Sequence, residues 1–248
     1  MVKKKRLEFG LKLKNLMIII HGENTTNSRQ KLVEVINDQK NKNQEIIRLE
    51  AKQLTEASLE EALGANDLFG TSKTIIIEEL HSLPVSKKKK NLIDLISKPQ
   101  IHNIVLWEKR SLTKTMLGKI ANDSNKSSFT DFEFKISKTL FTWLDSLGKT
   151  GDNQKKLQLL HSAIETDGEF FCFLMLIRQI RMLIEIKSGG IAKGAPFMTA
   201  KLNQQASNFK LKQLLGFYKE LLEIDIKQKT SASLIDTVAM LDLLSLKL

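Results

Sequence analysis

Glycine turns flanked by histidine, lysine and carboxylate side chains are where this chain could do chemistry. The first is His21-Gly22-Glu23-Asn24-Thr25-Thr26-Asn27-Ser28, between an apolar run and a helical pattern. A phosphate-binding loop at such a place needs glycines so that backbone N–H groups can wrap phosphates, then Lys and Ser/Thr for the γ-phosphate and Mg²⁺. This turn has one glycine and no lysine, and the charge of Glu23 would repel phosphate. Gly148-Lys149-Thr150 matches the end of the motif, but Trp143 stands where its upstream glycine belongs, and helical segments flank it. Neither reads as an ATP site.

The other reactive side chains form no set. His21, His81, His102 and His161 are far apart and lack metal-ligand spacing to one another or to Cys172. His21, at a strand end, could act as a catalytic group or could cap its turn. Glu78-Glu79 sits where an ATPase places its Mg²⁺-binding acids; without a phosphate loop it reads as a solvated strand end. No Gly-x-Ser-x-Gly elbow is present. The sequence offers no catalytic residue, no metal ligand set and no cofactor site.

The elements that would hold these residues fall into two halves. Apolar runs of strand length at 16–20, 45–49, 74–77, 104–107 and 129–134 alternate with helix-period segments. Strands that are apolar throughout, separated by helices, predict a doubly wound α/β domain with a parallel sheet covered on both faces. From Ile136 onward the strand pattern stops. Helices are predicted at about 137–147, 153–166, 169–187, 198–207 and 210–227, with a last one from about 231, as an all-α bundle.

Composition narrows the class. At 248 residues and 42% apolar the chain has material for one large domain or two modest ones, each with its own core. A single cysteine, in Phe170-Phe171-Cys172-Phe173-Leu174, forms no internal disulfide and suits a reducing compartment. Lys3-Lys4-Lys5-Arg6 resembles the start of a signal peptide, but the apolar run 16–20 is too short for a signal core or a membrane span. A cytoplasmic protein is expected. The net charge of +11 is spread along both halves and favours a polyanionic partner, or serves solubility. Its densest run, Lys87–Lys90, reads as a solvated helix end.

Asn66-Asp67-Leu68-Phe69-Gly70 is the feature that points to a task. Two large apolar residues in a polar, glycine-flanked connector either tuck into the core or protrude as an anchor for a partner's pocket. Several landmarks surround it in order. They are Ile20-His21-Gly22-Glu23, Thr139-Leu140-Phe141-Thr142-Trp143-Leu144, Arg178-Gln179-Ile180-Arg181, Pro196-Phe197 and Leu222-Glu223-Ile224-Asp225. With Asp67–Gly70 and the strand Ile75-Ile76-Ile77, this order resembles the delta subunit of the bacterial DNA polymerase III clamp loader across nearly the whole chain.

That resemblance implies an ATPase-like N-terminal domain without a working nucleotide site over 1–135, and a helical collar domain over 136–248. It implies that Leu68 and Phe69 insert into a pocket of the sliding clamp and help open it, supported by the helix from about Thr55 to Leu63. The implied partners are the clamp, the loader's ATPase and delta-prime subunits, and primed DNA within the complex. The chain would then be a non-catalytic subunit of a DNA-directed DNA polymerase holoenzyme. It departs from the family in one respect. Phe132-Glu133-Phe134-Lys135 runs almost directly into the second half, where relatives carry a middle helical domain, so this is a short form. Two other readings compete: a stand-alone basic nucleic-acid-binding protein, and an enzyme with an unrecognised site. The single Tyr and core-facing Phe residues leave the former few stacking platforms.

Overall fold

The computed structural model describes residues 16–64, 73–98, 100–120, 129–149, 151–190, 195–230 and 236–248. The chain divides into two compact units between Lys135 and Ile136.

In the first unit five parallel strands form one sheet: β1 (Met17–His21), β2 (Glu45–Glu50), β3 (Lys73–Glu78), β4 (Asn103–Glu108) and β5 (Phe129–Glu133). Their order is β2-β3-β4-β1-β5, so β1 lies between β4 and β5. Every strand expected from the apolar runs is present. β1 and β4 are buried along their full length, and the four residues inside β3 are buried as well. That is why these strands read as unbroken apolar runs, whereas β2, at the sheet edge, mixes Glu45, Arg48 and Glu50 among its apolar residues.

Strand order fixes the helix layers. The step from β1 to β2 crosses the sheet one way; every later step runs the other way. Since parallel crossovers are right-handed, the helix of the first step must lie on one face and the remaining helices on the opposite face. The two cores obey this rule. Leu32, Val35 and Ile36 of α1 (Thr25–Asn41) pack on Ile18, Ile20, Ile76, Val105 and Trp107. The opposite-facing residues Ile19, Ile75, Ile77 and Leu106 pack with Leu59 of α2 (Glu56–Gly64), Leu92 and Ile96 of α3 (Lys87–Ser97) and Ile120 of α4 (Lys114–Ile120).

The second unit is all helical among the described residues: α5 (Lys138–Ser146), α6 (Asn153–Asp167), α7 (Glu169–Lys187), α8 (Pro196–Ser207), α9 (Leu211–Lys229) and α10 (Thr237–Lys247). α7 is apolar nearly all round and forms its axis, with Phe173, Leu176, Ile180 and Leu183 fully buried. Trp143 of α5 is fully buried, and its indole N–H donates to Ser245 Oγ at 3.0 Å. Asp167, at the end of α6, accepts from the Ser137 N–H, while Ser137 Oγ caps α5 by accepting from Leu140 N–H. α8 begins two residues earlier than its periodicity indicates because Pro196 occupies its first turn, where a missing N–H costs nothing. Among the described residues, no helix is long and apolar enough to cross a membrane.

Candidate functional site

In open parallel sheets, ligands bind at the carboxyl edge, where strand order reverses. Here that edge is the end of β1 with its neighbours β4 and β5. Asn24 caps α1, its side chain accepting from Asn27 N–H at 3.1 Å. The amides of Gly22, Asn24, Thr25, Asn27 and Ser28 are bonded within the protein. Gly22 N–H donates to Glu108 O at 3.2 Å, Asn24 N–H to Phe134 O at 3.0 Å, and Ser28 N–H to Asn24 O at 3.1 Å. Phe134 N–H returns a bond to His21 O at 2.8 Å. The chain leaving β5 therefore lies over the turn where a phosphate would be cradled. Gly22 holds φ +133°, and a Cβ there would meet Phe134 O at 2.2 Å. Its glycine serves this close backbone approach instead of a ligand.

His21 is 1% exposed, and its Nδ1 accepts from Leu112 N–H at 3.1 Å. It thus caps the loop after β4 and not, as the sequence suggests, its own turn. That bond puts the ring proton on Nε2, which stands 3.9 Å from Asp131 Oδ2 without a hydrogen-bond partner. Burial pulls the imidazole pKa below its ordinary value, against the raising effect of Glu133 and Asp131.

The acidic pair is not the solvated strand end expected. Glu78 pairs with Arg29 at 2.7 Å, and Arg29 lies over the Trp107 ring. Glu79 takes a left-handed conformation, φ 62°, accepts Lys109 N–H at 2.9 Å and pairs with Lys109 Nζ at 3.1 Å. Each carboxylate faces its own cation, so the two do not converge on a common point. Among the described residues, no group of three His, Cys, Asp or Glu could hold a metal ion. Gly148 of the second glycine turn is likewise structural: with φ +77°, a Cβ there would meet the Phe209 ring at 2.4 Å. Burial pushes the Cys172 thiol up to about 12, aided by the nearby Asp167 charge, which makes it a poor nucleophile.

Leu68 and Phe69 lie outside the described residues. Their flanks are firmly placed. α2 is capped reciprocally, Ser58 N–H donating to Thr55 Oγ1 and Thr55 N–H to Ser58 Oγ. Asn91 of α3 donates to both oxygens of Glu56 at 2.9 Å. On the far side, Lys73 N–H donates to His102 Nδ1 at 3.2 Å and Lys73 Nζ pairs with Glu45 at 3.1 Å. Lys73 starts β3, so this flank lies at the amino edge of the sheet, opposite the closed turn.

In the second unit, the Arg178-Gln179-Ile180-Arg181 run separates into two roles. Gln179 is buried and donates to Gln205, which in turn donates to the carbonyls of Leu144 and Leu147. Arg178 and Arg181 line a groove with Met182, Leu215 and Tyr218. α9 shows Leu215, Leu222 and Ile226 half exposed at i, i+7 and i+11, a single apolar stripe. Sequence reading passed over this stripe, since a period of 3.6 marks an apolar face without saying what covers it.

No protein-family model matches the chain, and no curated protein does. Among solved structures it is similar to the DNA clamp loader delta protein of Bacillus subtilis, with 14% identity over 93% of this chain and 94% of that one, at a TM-score of 0.43. It is also similar to a DNA polymerase III gamma subunit-related protein of Thermotoga maritima, with 13% identity over 94% of each chain, at a TM-score of 0.33.

Proposed function

We propose that this chain is a clamp-loader delta-like subunit, which binds the replication sliding clamp and opens it for loading onto primed DNA within a DNA polymerase III holoenzyme. In this reading residues 1–135 hold the clamp through Leu68 and Phe69. Residues 136–248 join a collar with the loader's ATPase and delta-prime subunits. The observation that carries the reading is the closed first turn. An ATPase-type strand–turn–helix is kept as architecture while Phe134 occupies its phosphate position, as suits a subunit that leaves hydrolysis to its neighbours. The ordered sequence landmarks and the Leu68-Phe69 connector support it. So does the half-exposed stripe of α9, an apolar face of the kind that packs against another helix. The net charge of +11 suits work beside DNA.

The test is the Leu68→Ala/Phe69→Ala double variant, titrated against the sliding clamp of the same organism and melted in parallel. Clamp affinity should fall by about thirtyfold or more per side chain, with stability changed by no more than about 0.5 kcal/mol. If the two side chains belong to the core instead, the variant loses roughly 2–5 kcal/mol per truncation. A stable variant that binds the clamp as tightly as the parent sinks the assignment. Tight, clamp-independent and steeply salt-dependent DNA binding would favour the stand-alone nucleic-acid-binding reading.

A further inference from the structure

α7 is enclosed over most of its surface, but one strip of it floors a groove. Met175, Arg178, Met182 and Glu185 stand at i, i+3, i+7 and i+10, so they share one face of the helix. Beside Met175, α5 and α8 wall a hollow of about 350 Å³, with Phe141, Phe197, Met198 and Leu202 as apolar lining. Beside Glu185, α9 walls a second hollow of about 520 Å³ with Leu215 and Tyr218. Arg178 and Met182 line both, so the two hollows meet on α7 as one groove. At the helical rise its floor from Met175 to Glu185 is about 15 Å long, close to three turns of an occupant helix.

The walls are in place before anything fills them. Gln179, buried in α7, donates to Gln205 of α8, and Gln205 donates to the Leu144 and Leu147 carbonyls at the end of α5. α8 is thereby pinned to both neighbours, and a groove shaped in advance costs less to bind. Phe141, Phe197 and Met198 are exposed although large and apolar. Methionines recur in the lining, and their unbranched side chains adapt to irregular apolar partners.

Charge narrows what can lie there. Arg178 and Arg181 make no ion pair among the described residues. Of the acids in the lining, Asp145 pairs with Lys201, which leaves Glu185 alone against two guanidinium groups. Anything that covers the apolar walls also takes these arginines out of water, and a buried cation without a partner is strongly unfavourable. The occupant must therefore bring carboxylates, which planar guanidinium groups bind bidentately. Shape narrows it further. This unit offers no strand edge among the described residues, so an extended peptide would leave its backbone groups unbonded, whereas a helix satisfies its own.

We infer that the groove over α7 docks an amphipathic helix of a partner protein, its apolar side chains entering the two hollows and its carboxylates pairing with Arg178 and Arg181. The groove meets the exposed α9 stripe at Leu215, but Leu222 and Ile226 do not line it. It is a contact surface additional to that stripe, and it stands whether or not the clamp-loader reading does.

The test uses the full chain and, as a probe, a fluorescent helix-stabilised peptide of about four turns, with leucine at i, i+3 and i+7 and glutamates beside them. Its twin carries lysine in place of each glutamate. The acidic peptide should bind, and the basic one should bind about tenfold more weakly or worse. Arg178→Gln/Arg181→Gln should weaken the acidic peptide by about tenfold or more, while Lys155→Gln/Lys227→Gln, outside the groove, should leave it nearly unchanged. Phe197→Ala/Met198→Ala should weaken it to a similar extent, and Leu222→Ala/Ile226→Ala, on the α9 stripe, should not. All of these side chains are exposed, so the variants should melt close to the parent. No binding of the acidic peptide, equal binding of the two peptides, or equal losses in both charge pairs overturns the inference. So does dimerisation of the chain that Phe197→Ala/Met198→Ala abolishes, which makes the occupant a second copy. A single-stranded oligonucleotide that displaces the peptide overturns it as well, in favour of a nucleic acid.

Discussion

Among the described residues, the sheet unit leaves three large apolar side chains exposed and the helical unit leaves ten. The difference follows from architecture. A parallel sheet has two apolar faces, and right-handed crossovers return helices to both, so its apolar surface is used up internally. A helix bundle has no such closure. α7 is surrounded by its neighbours, but the outer helices can carry a second apolar stripe that their own core does not reach, as α9 does with Leu215, Leu222 and Ile226. Phe197, 73% exposed at the start of α8, belongs to the same pattern. An exposed apolar surface of this kind is a common mark of an interaction site. Among the described residues, the sheet unit covers nearly all of its apolar surface, whereas the helical unit keeps an outer apolar face.

The strongest way to break that contrast is to compare truncations inside and outside the helical core. Trp143→Ala should cost about 3–5 kcal/mol in denaturant unfolding, since a fully buried indole and its bond to Ser245 are lost. Leu222→Ala with Ile226→Ala should shift stability by only about 0.5 kcal/mol. If the stripe variant is as destabilised as the core variant, the stripe is core after all and the contrast fails.

A smaller effect is expected at the closed turn. Gly22→Ala should cost about 1–3 kcal/mol, because φ +133° suits few side chains and the new methyl would press on the Phe134 carbonyl. A neutral Gly22→Ala melting curve would show that the turn is loose enough to open. ATP binding lost on altering Gly22 or Glu23 would show that it opens for a ligand.

The smallest effect sharpens the contrast by pH. The His21 pKa is lowered in the fold, so the unfolded chain binds the proton more readily. Its contribution is complete above the unfolded value near 6.5 and is lost as pH falls from there through the folded pKa. His21→Gln, which keeps an acceptor for Leu112 N–H, should flatten that part of the stability profile. An unchanged profile would place the acid sensitivity elsewhere.

The fold was open to sequence reading where burial was complete. Ile18 to Ile20, Ile75 to Ile77 and Ile104 to Leu106 are covered on both faces, so composition alone marks them as strands. The first turn was legible only as chemistry that is missing. That Phe134 fills the place is a contact across more than a hundred residues, and nothing local in Gly22 announces it. The same holds for Glu108. A glutamate at a strand end looks solvated in sequence, yet it is fully buried, and only the fold brings His81 to it. Glu78 and Glu79 were misread for a related reason, since their cations Arg29 and Lys109 lie far away in sequence.

β3 joins the two ends of the sheet unit. It is six residues long, starts at Lys73 beside the Leu68-Phe69 connector, and ends at Glu78, which holds Arg29. It is hydrogen-bonded to β2 on one side and β4 on the other, in parallel register along its length. A load applied at Lys73 along the strand axis would therefore act in shear. The bonds on both sides would have to yield together instead of unzipping one at a time. In mechanical terms Lys73 heads a stiff strut rather than a hinge, and tension there is passed to the whole sheet.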